Sequence, residues 1–275
     1  MVGSPSLYRI PSCTLPGAWQ MAIDSWLLEA VCRGERRGPL LRFYGWSRPT
    51  LSLGQHQSLL QPRWVRLAQQ GALALVRRPS GGGAVLHGAD LTYMLIWPDP
   101  PRKRREAYRL SCQWLQDAFA SMNQPLVFGE APCRPDQANC FASSTAADLV
   151  HPSGAKRIGS AQRWKDGCLL QHGSLALAPD RRLWEAVFET PAPNLPALPY
   201  EGSELENHLL GAALARFPFQ VAPSPASLVN VPLQSWEWRT ISRGLHTYEI
   251  REGTGEEAAD SAIALATGSR ANPSG

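Results

Sequence analysis

The chain has 275 residues, 44% of them hydrophobic and 18% charged, with a net charge of +4. That length supports a sizeable core in one large domain or two small ones, and so mild a basic balance, without zinc-finger spacing or a long basic arm, calls for no nucleic acid. No stretch approaches an uncharged membrane span and no signal-peptide pattern opens the chain, so a cytoplasmic protein with no membrane partner is expected. The cysteines at 13, 32, 112, 133, 140 and 168 form no CxxC pair and fit a reduced compartment, with inert thiols as the default.

From the N-terminus, Trp19, Ala22, Ile23, Trp26, Leu27, Ala30 and Val31 recur on one stripe and predict a helix from about Pro16 to Arg33, stopped by Gly34. Leu40 to Trp46 and Thr50 to Leu53 read as strands around Ser47-Arg48-Pro49, and Pro62 to Gln70 as a short helix. Next comes Arg77-Arg78-Pro79-Ser80-Gly81-Gly82-Gly83-Ala84-Val85-Leu86-His87, between the apolar runs Ala72 to Val76 and Leu91 to Trp97. The glycines predict a tight strand-to-strand connection that lets a ligand reach bare backbone. The arginines and His87 add donors suited to a carboxylate, phosphate or acyl carbonyl. A plain structural turn is the competing reading.

A second long helix is predicted from about Arg105 to Met122, preceded by Arg102-Lys103-Arg104-Arg105. Those cations read as a solvated run, or more sharply as a docking patch for an acidic carrier protein. Gly129 to Ser144 reads as a loop, and Ala147 to Val150, Lys156 to Arg163 and Cys168 to Leu177 as three short strands. In the last of these the two-residue period sets His172 on one face with Leu170, Ser174 and Ala176, which suits a satisfied core histidine, with substrate contact as the second option. The prolines from Thr190 to Pro199 impose an extended connection, Glu204 to Arg216 reads as a helix, and Leu233 to Arg251 stays unassigned. The expected organisation is one catalytic unit over 1–252, its core at 16–217, followed by a disordered tail at 253–275.

The block Arg77 to His87 with Leu91-Thr92-Tyr93 closely resembles the ligand-binding signature of the lipoate protein ligase and octanoyltransferase family, within the biotin/lipoate protein ligase superfamily. Further blocks match in order: Met21-Ala22-Ile23-Asp24, Arg48 to Gly54, Cys140-Phe141, Lys156 to Gln162, and Leu170 to Ser174. The resemblance implies an α/β catalytic domain with a mixed, largely antiparallel central sheet flanked by helices. It implies that Lys156 contacts the acyl carbonyl, where a cation would stabilise developing charge, and that Cys140 is the nucleophile of a thioester-forming octanoyltransferase. Arg77, Arg78, Ser80, Gly81, Gly82, Gly83, His87, Gly159, Ser160, Ala161, His172 and Gly173 become the substrate-binding candidates. Asp148 and His87 are candidates for the general base.

The implied donor is octanoyl-acyl carrier protein and the implied acceptors are lipoyl-domain proteins, such as the glycine cleavage H protein or dehydrogenase E2 subunits. The transferase needs no cofactor and no metal. The alternatives are an ATP- and Mg-dependent lipoate ligase using Lys156 without a cysteine intermediate, and a non-catalytic lipoyl or carrier-protein binding homologue; biotin attachment is a weaker fourth.

Overall fold

A computed structural model describes residues 6–129, 148–217 and 227–250. Along the chain run β1 (Ser6–Leu15), α1 (Gly17–Cys32), β2 (Leu40–Trp46), β3 (Thr50–Leu53), α2 (Pro62–Gln69), β4 (Ala74–Arg77), β5 (Val85–His87), β6 (Asp90–Pro98), α3 (Arg104–Ser121) and β7 (Val127–Phe128). They are followed by β8 (Asp148–Val150), β9 (Lys156–Lys165), β10 (Cys168–Ala176), α4 (Arg181–Phe188), α5 (Gly202–Arg216), β11 (Ser227–Asn230) and α6 (Ser235–Ser242).

Eight strands form one sheet in the order β11-β1-β2-β6-β10-β9-β8-β7. β1 lies parallel to β11 and to β2, and every other pairing is antiparallel, so the sheet is mixed and largely antiparallel as expected. Because strand side chains alternate between faces, β2 and β6 serve two cores. Leu41, Phe43, Tyr93 and Leu95 pack with Trp114, Leu115 and Phe119 of α3 and Leu205 and Leu209 of α5. On the other face Leu40, Tyr44, Met94 and Ile96 pack with Trp19, Ile23 and Leu27 of α1 and Trp238 and Ile241 of α6.

A second sheet, β4-β3-β5, is backed by Trp64 of α2 and by Trp184, Val187 and Phe188 of α4. Here one expectation is corrected. The glycine triplet joins β4 to β5, which do not pair: β4 runs parallel and β5 antiparallel along opposite edges of β3. The apolar run at 91–97 belongs to the large sheet instead. The triplet therefore crosses the end of β3, between the two sheets, and is no hairpin.

β1, β5, β7, α4 and β11 have no counterpart in the sequence reading. β1 is broken by Pro11, and the register with β2 shifts between Ile10 and Cys13, where a bulge absorbs the proline. α4 starts at Asp180, whose side chain accepts from Leu183 N, an N-cap signal present in the sequence. The unassigned C-terminal stretch holds α6, opened by a capping box between Gln234 and Glu237. The loop read at 129–144 lies almost wholly outside the described residues, and the tail at 253–275 entirely so. Among the described residues no helix is long and apolar enough to cross a membrane.

Candidate active site

Arg78 organises the glycine loop. It is buried, and its guanidinium donates to the Gly81 carbonyl at 2.8 Å, the Gly83 carbonyl at 2.7 Å and the Ser52 carbonyl at 3.0 Å. Gly82 takes φ +97°, a conformation that favours glycine. Its carbonyl lies so close to Gly54 that a Cβ there would sit 1.9 Å from the oxygen. In a planar trans peptide the N–H points opposite to the C=O. Turning the Gly81 and Gly83 carbonyls onto Arg78 therefore aims the N–H groups of Gly82 and Ala84 the other way. Such an array suits a carbonyl oxygen or anion. Arg77 braces the neighbouring loop, donating to the Gly54 and Gln57 carbonyls at 2.9 and 2.8 Å.

Two serine–histidine–aspartate chains flank this loop. In the first, His172 of β10 places Nδ1 2.9 Å from Asp24 Oδ2 and Nε2 2.5 Å from Ser80 Oγ. Asp24, on α1, is fully buried and accepts from Arg42 Nη1 and from the Tyr44 hydroxyl, each at 2.9 Å. Burial, then the Asp24 charge, pushes the Tyr44 phenol well above its ordinary value, so it stays a donor. In the second chain, His87 stacks on Trp46 and bonds Asp90 through Nδ1 and Ser52 Oγ through Nε2, both at 2.8 Å.

Burial alone would raise the Asp90 carboxyl. The His87 charge and hydrogen bond, the Ser174 hydroxyl and the Gly88 N–H outweigh it and hold the group below its ordinary value. A depressed carboxylate contributes stability that is complete above the unfolded value, about 3.9, and lost as pH falls through the folded one. Asp90→Asn should therefore be less stable than the wild type at pH 7, by a margin that shrinks below about pH 4. Urea melts at both pH values test this; an unchanged margin would contradict it.

Lys156 reaches the same face through a bulge. β8 pairs Leu149 with Ile158 and then Val150 with Lys156, skipping Arg157. Plain alternation would send Lys156 to the side of Ile158, into the α3 core. The extra residue re-aims it. Its Nζ meets Asp148 Oδ1 at 2.9 Å, both side chains being 5% exposed. Its stem crosses Gly159, where a Cβ would stand 2.8 Å from Cε. Gly159 pairs with Ser174, and Ala161 with His172, so Lys156, Asp148 and the first relay share a face.

Ser160 and Gly173 form a cross-strand pair on the opposite face. The Ser160 hydroxyl bonds the Tyr93 hydroxyl at 2.7 Å, over the bare Cα of Gly173. They back the site from behind.

Ser160 and Gly173 therefore stand apart from the Lys156 face, and two other stretches singled out in the sequence lie away from it as well. The Arg102 to Arg105 run lies beyond Pro98 of β6, about 20 Å along the strand from Thr92. Arg48 is exposed and donates to the Gly71 carbonyl. Cys140 lies outside the described residues. Burial pushes the Cys112 and Cys168 thiols up to about 12, so both stay protonated and unreactive. Sequence reasoning assigned no role to Asp24, Arg42, Tyr44, Ser52, Asp90 or Ser174. Asp24 did carry a signal, a charge flanked at helical spacing by Gln20, Met21, Leu27 and Leu28.

The fold thus brings a glycine loop, tied to His172 through Ser80, to the sheet face onto which a bulge directs Lys156. Residues 16–196 match the family described as the lipoyl protein ligase A/B catalytic domain, and the chain belongs to that family. Among curated proteins it is 36% identical over 194 residues to "Octanoyltransferase LipM" of Geobacillus kaustophilus, covering 66% of this chain and 69% of the relative. It is 35% identical over 187 residues to the protein of the same name from Halalkalibacterium halodurans, covering 64% and 67%. Among solved structures, a lipoate-protein ligase A bound with ATP superposes with TM-score 0.70 at 16% identity, over 94% of this chain and 99% of that one. Plasmodium falciparum LipL1 with lipoate gives 0.56 at 13% identity, over 95% and 72%. These two likenesses speak for the fold, a biotin/lipoyl protein ligase-like α/β domain.

Proposed function

We propose that the chain transfers an octanoyl group from an acyl carrier protein thioester to the lysine of a lipoyl-domain protein, through a thioester on Cys140. The observation that carries this reading is the placement of Lys156. A bulge holds the ammonium beside Asp148, on the face that the glycine loop and His172 share. The relatives named octanoyltransferases support the choice of acyl group.

In the first step the Cys140 thiolate attacks the thioester carbonyl, the Sγ–C bond forms, and the carrier leaves as its thiolate. In the second, the acceptor lysine's neutral amine attacks the acyl-enzyme. A C–N bond forms, the Sγ–C bond breaks, and the amine proton passes to a base. The first step exchanges thioester for thioester, so the sequence needs no ATP. In both steps charge develops on the carbonyl oxygen, which the Lys156 ammonium and the N–H groups of the glycine loop would stabilise. The acceptors fitting this chemistry are lipoyl domains such as those of the H protein or E2 subunits.

Intact-mass spectrometry after incubation with octanoyl-acyl carrier protein and no ATP tests this directly. The wild type should gain one octanoyl group, removable by hydroxylamine, and Cys140→Ala should gain none. Absence of an adduct on the wild type, with ATP-dependent attachment of free lipoate, would replace this mechanism by the ligase one.

A further inference from the structure

The Asp24–His172–Ser80 chain has the connectivity of a hydrolase triad, yet Ser80 is only 1% exposed and a nucleophile must meet its substrate. Its atoms define another role. Asp24 accepts from the Arg42 guanidinium through one oxygen and from the Tyr44 hydroxyl through the other, inside the core. A carboxylate only accepts, so the proton between it and His172 sits on Nδ1. In the neutral imidazole Nε2 is then an acceptor, and the Ser80 hydroxyl must donate to it. Meanwhile the Ser80 carbonyl accepts from Gln55 N at 2.8 Å. Ser80 is thus fixed by its side chain and its backbone where the Gly81 to Gly83 loop begins.

We propose that Asp24 and His172 are positioning residues for the acyl-binding loop: they choose the tautomer that commits the Ser80 proton to His172. That bond, with the Gln55 N–H on the Ser80 carbonyl, anchors the loop whose N–H groups would receive the acyl carbonyl oxygen. Protonation of His172 reverses the bond: Nε2–H donates to Ser80, the buried hydroxyl loses its acceptor, and the loop's anchor is weakened. The ionisable and polar groups facing His172 are Asp24 from α1, Arg42 and Tyr44 from β2, and Ser80 from the loop, while its partners across β6 and β9 are Met94 and Ala161. The inference rests on the transfer reading for its kinetic consequence and on geometry alone for the tautomer.

The experiment has a kinetic and a spectroscopic arm. In the first, kcat/KM for octanoyl transfer is measured for Ser80→Ala, His172→Ala and the double variant. Each single variant should lose about tenfold or more, and the double should lose no more than the worse single. Losses that multiply would overturn the proposal. Wild-type kcat/KM should also fall at acid pH with a limb that Ser80→Ala abolishes; persistence of that limb would count against it. Should His172→Ala fail to fold, His172→Gln takes its place, since its amide oxygen can still accept from Ser80 and should recover part of the rate.

In the spectroscopic arm, imidazole 15N resonances of the wild type at pH 8 should show His172 protonated on Nδ1, and Asp24→Asn should move the proton to Nε2. A wild-type Nε2–H tautomer overturns the inference whatever the enzyme transfers. A wild type without octanoyl transfer but with the Nδ1–H tautomer would sink the functional reading and leave the relay standing.

Discussion

Gly54→Ala is expected to cut acyl transfer by roughly two orders of magnitude or more, although residue 54 need touch no substrate. Its Cβ would stand 1.9 Å from the Gly82 oxygen, 2.9 Å from the Gly82 carbonyl carbon and 3.1 Å from that of Gly81. All three are backbone atoms, so no side chain can swing aside. The loop itself must lift. Lifting it moves the Gly81 and Gly83 carbonyls off Arg78, which holds them at 2.8 and 2.7 Å. Once those carbonyls turn, the N–H groups paired with them across each peptide plane turn as well. Removing a single oxyanion donor costs about 10²- to 10³-fold in comparable sites, and here at least two share one support. The fold should survive at a cost of about 1–3 kcal/mol, the usual scale of overpacking. Steady-state kinetics with a thermal melt test this. Near-normal turnover by a protein of lowered stability would show that the loop's N–H groups do not hold the carbonyl.

That loop illustrates what could be read in advance. Glycines at 81–83 between arginines and a histidine marked the place, because backbone freedom and donors are local properties. Which strands the loop joined was not local: β3 separates β4 from β5, and that follows from packing against α2 and α4. Lys156 shows the same division. Its identity was visible, but a strict two-residue period sends it into the core beside Ile158, and only the skipped Arg157 brings it to the site. Bulges leave no periodic trace.

His172 was read first as a satisfied core histidine, and the structure does give both ring nitrogens a buried partner. Those partners, Asp24 and Ser80, lie 148 and 92 residues away. The pattern of α1 marks Asp24 as a charge among apolar neighbours, which must find a counter-ion. It cannot say that Arg42 supplies it.

Lys156→Met is expected to remove transfer by at least about a hundredfold and also to destabilise the protein, and the two effects can be separated. The ammonium and the Asp148 carboxylate are both almost fully buried, 2.9 Å apart. Deleting one partner of such a pair leaves the other charge in the core without its counter-ion, at a cost of about 3–5 kcal/mol. A loss of activity alone would therefore be ambiguous, since a partly unfolded enzyme is also slow. Replacing both partners resolves it, because apolar residues of similar volume often match or exceed the stability of a buried ion pair. Lys156→Met combined with Asp148→Leu should regain most of the lost melting temperature while turnover stays at the level of the single variant. The stem of Lys156 crosses Gly159, so the methionine has the room the lysine had. Recovery of turnover along with stability would make the pair a structural element of the bulge and remove Lys156 from the chemistry. Recovery of stability alone assigns the Lys156–Asp148 pair to the chemistry, because the fold would then be intact and only the two charges missing.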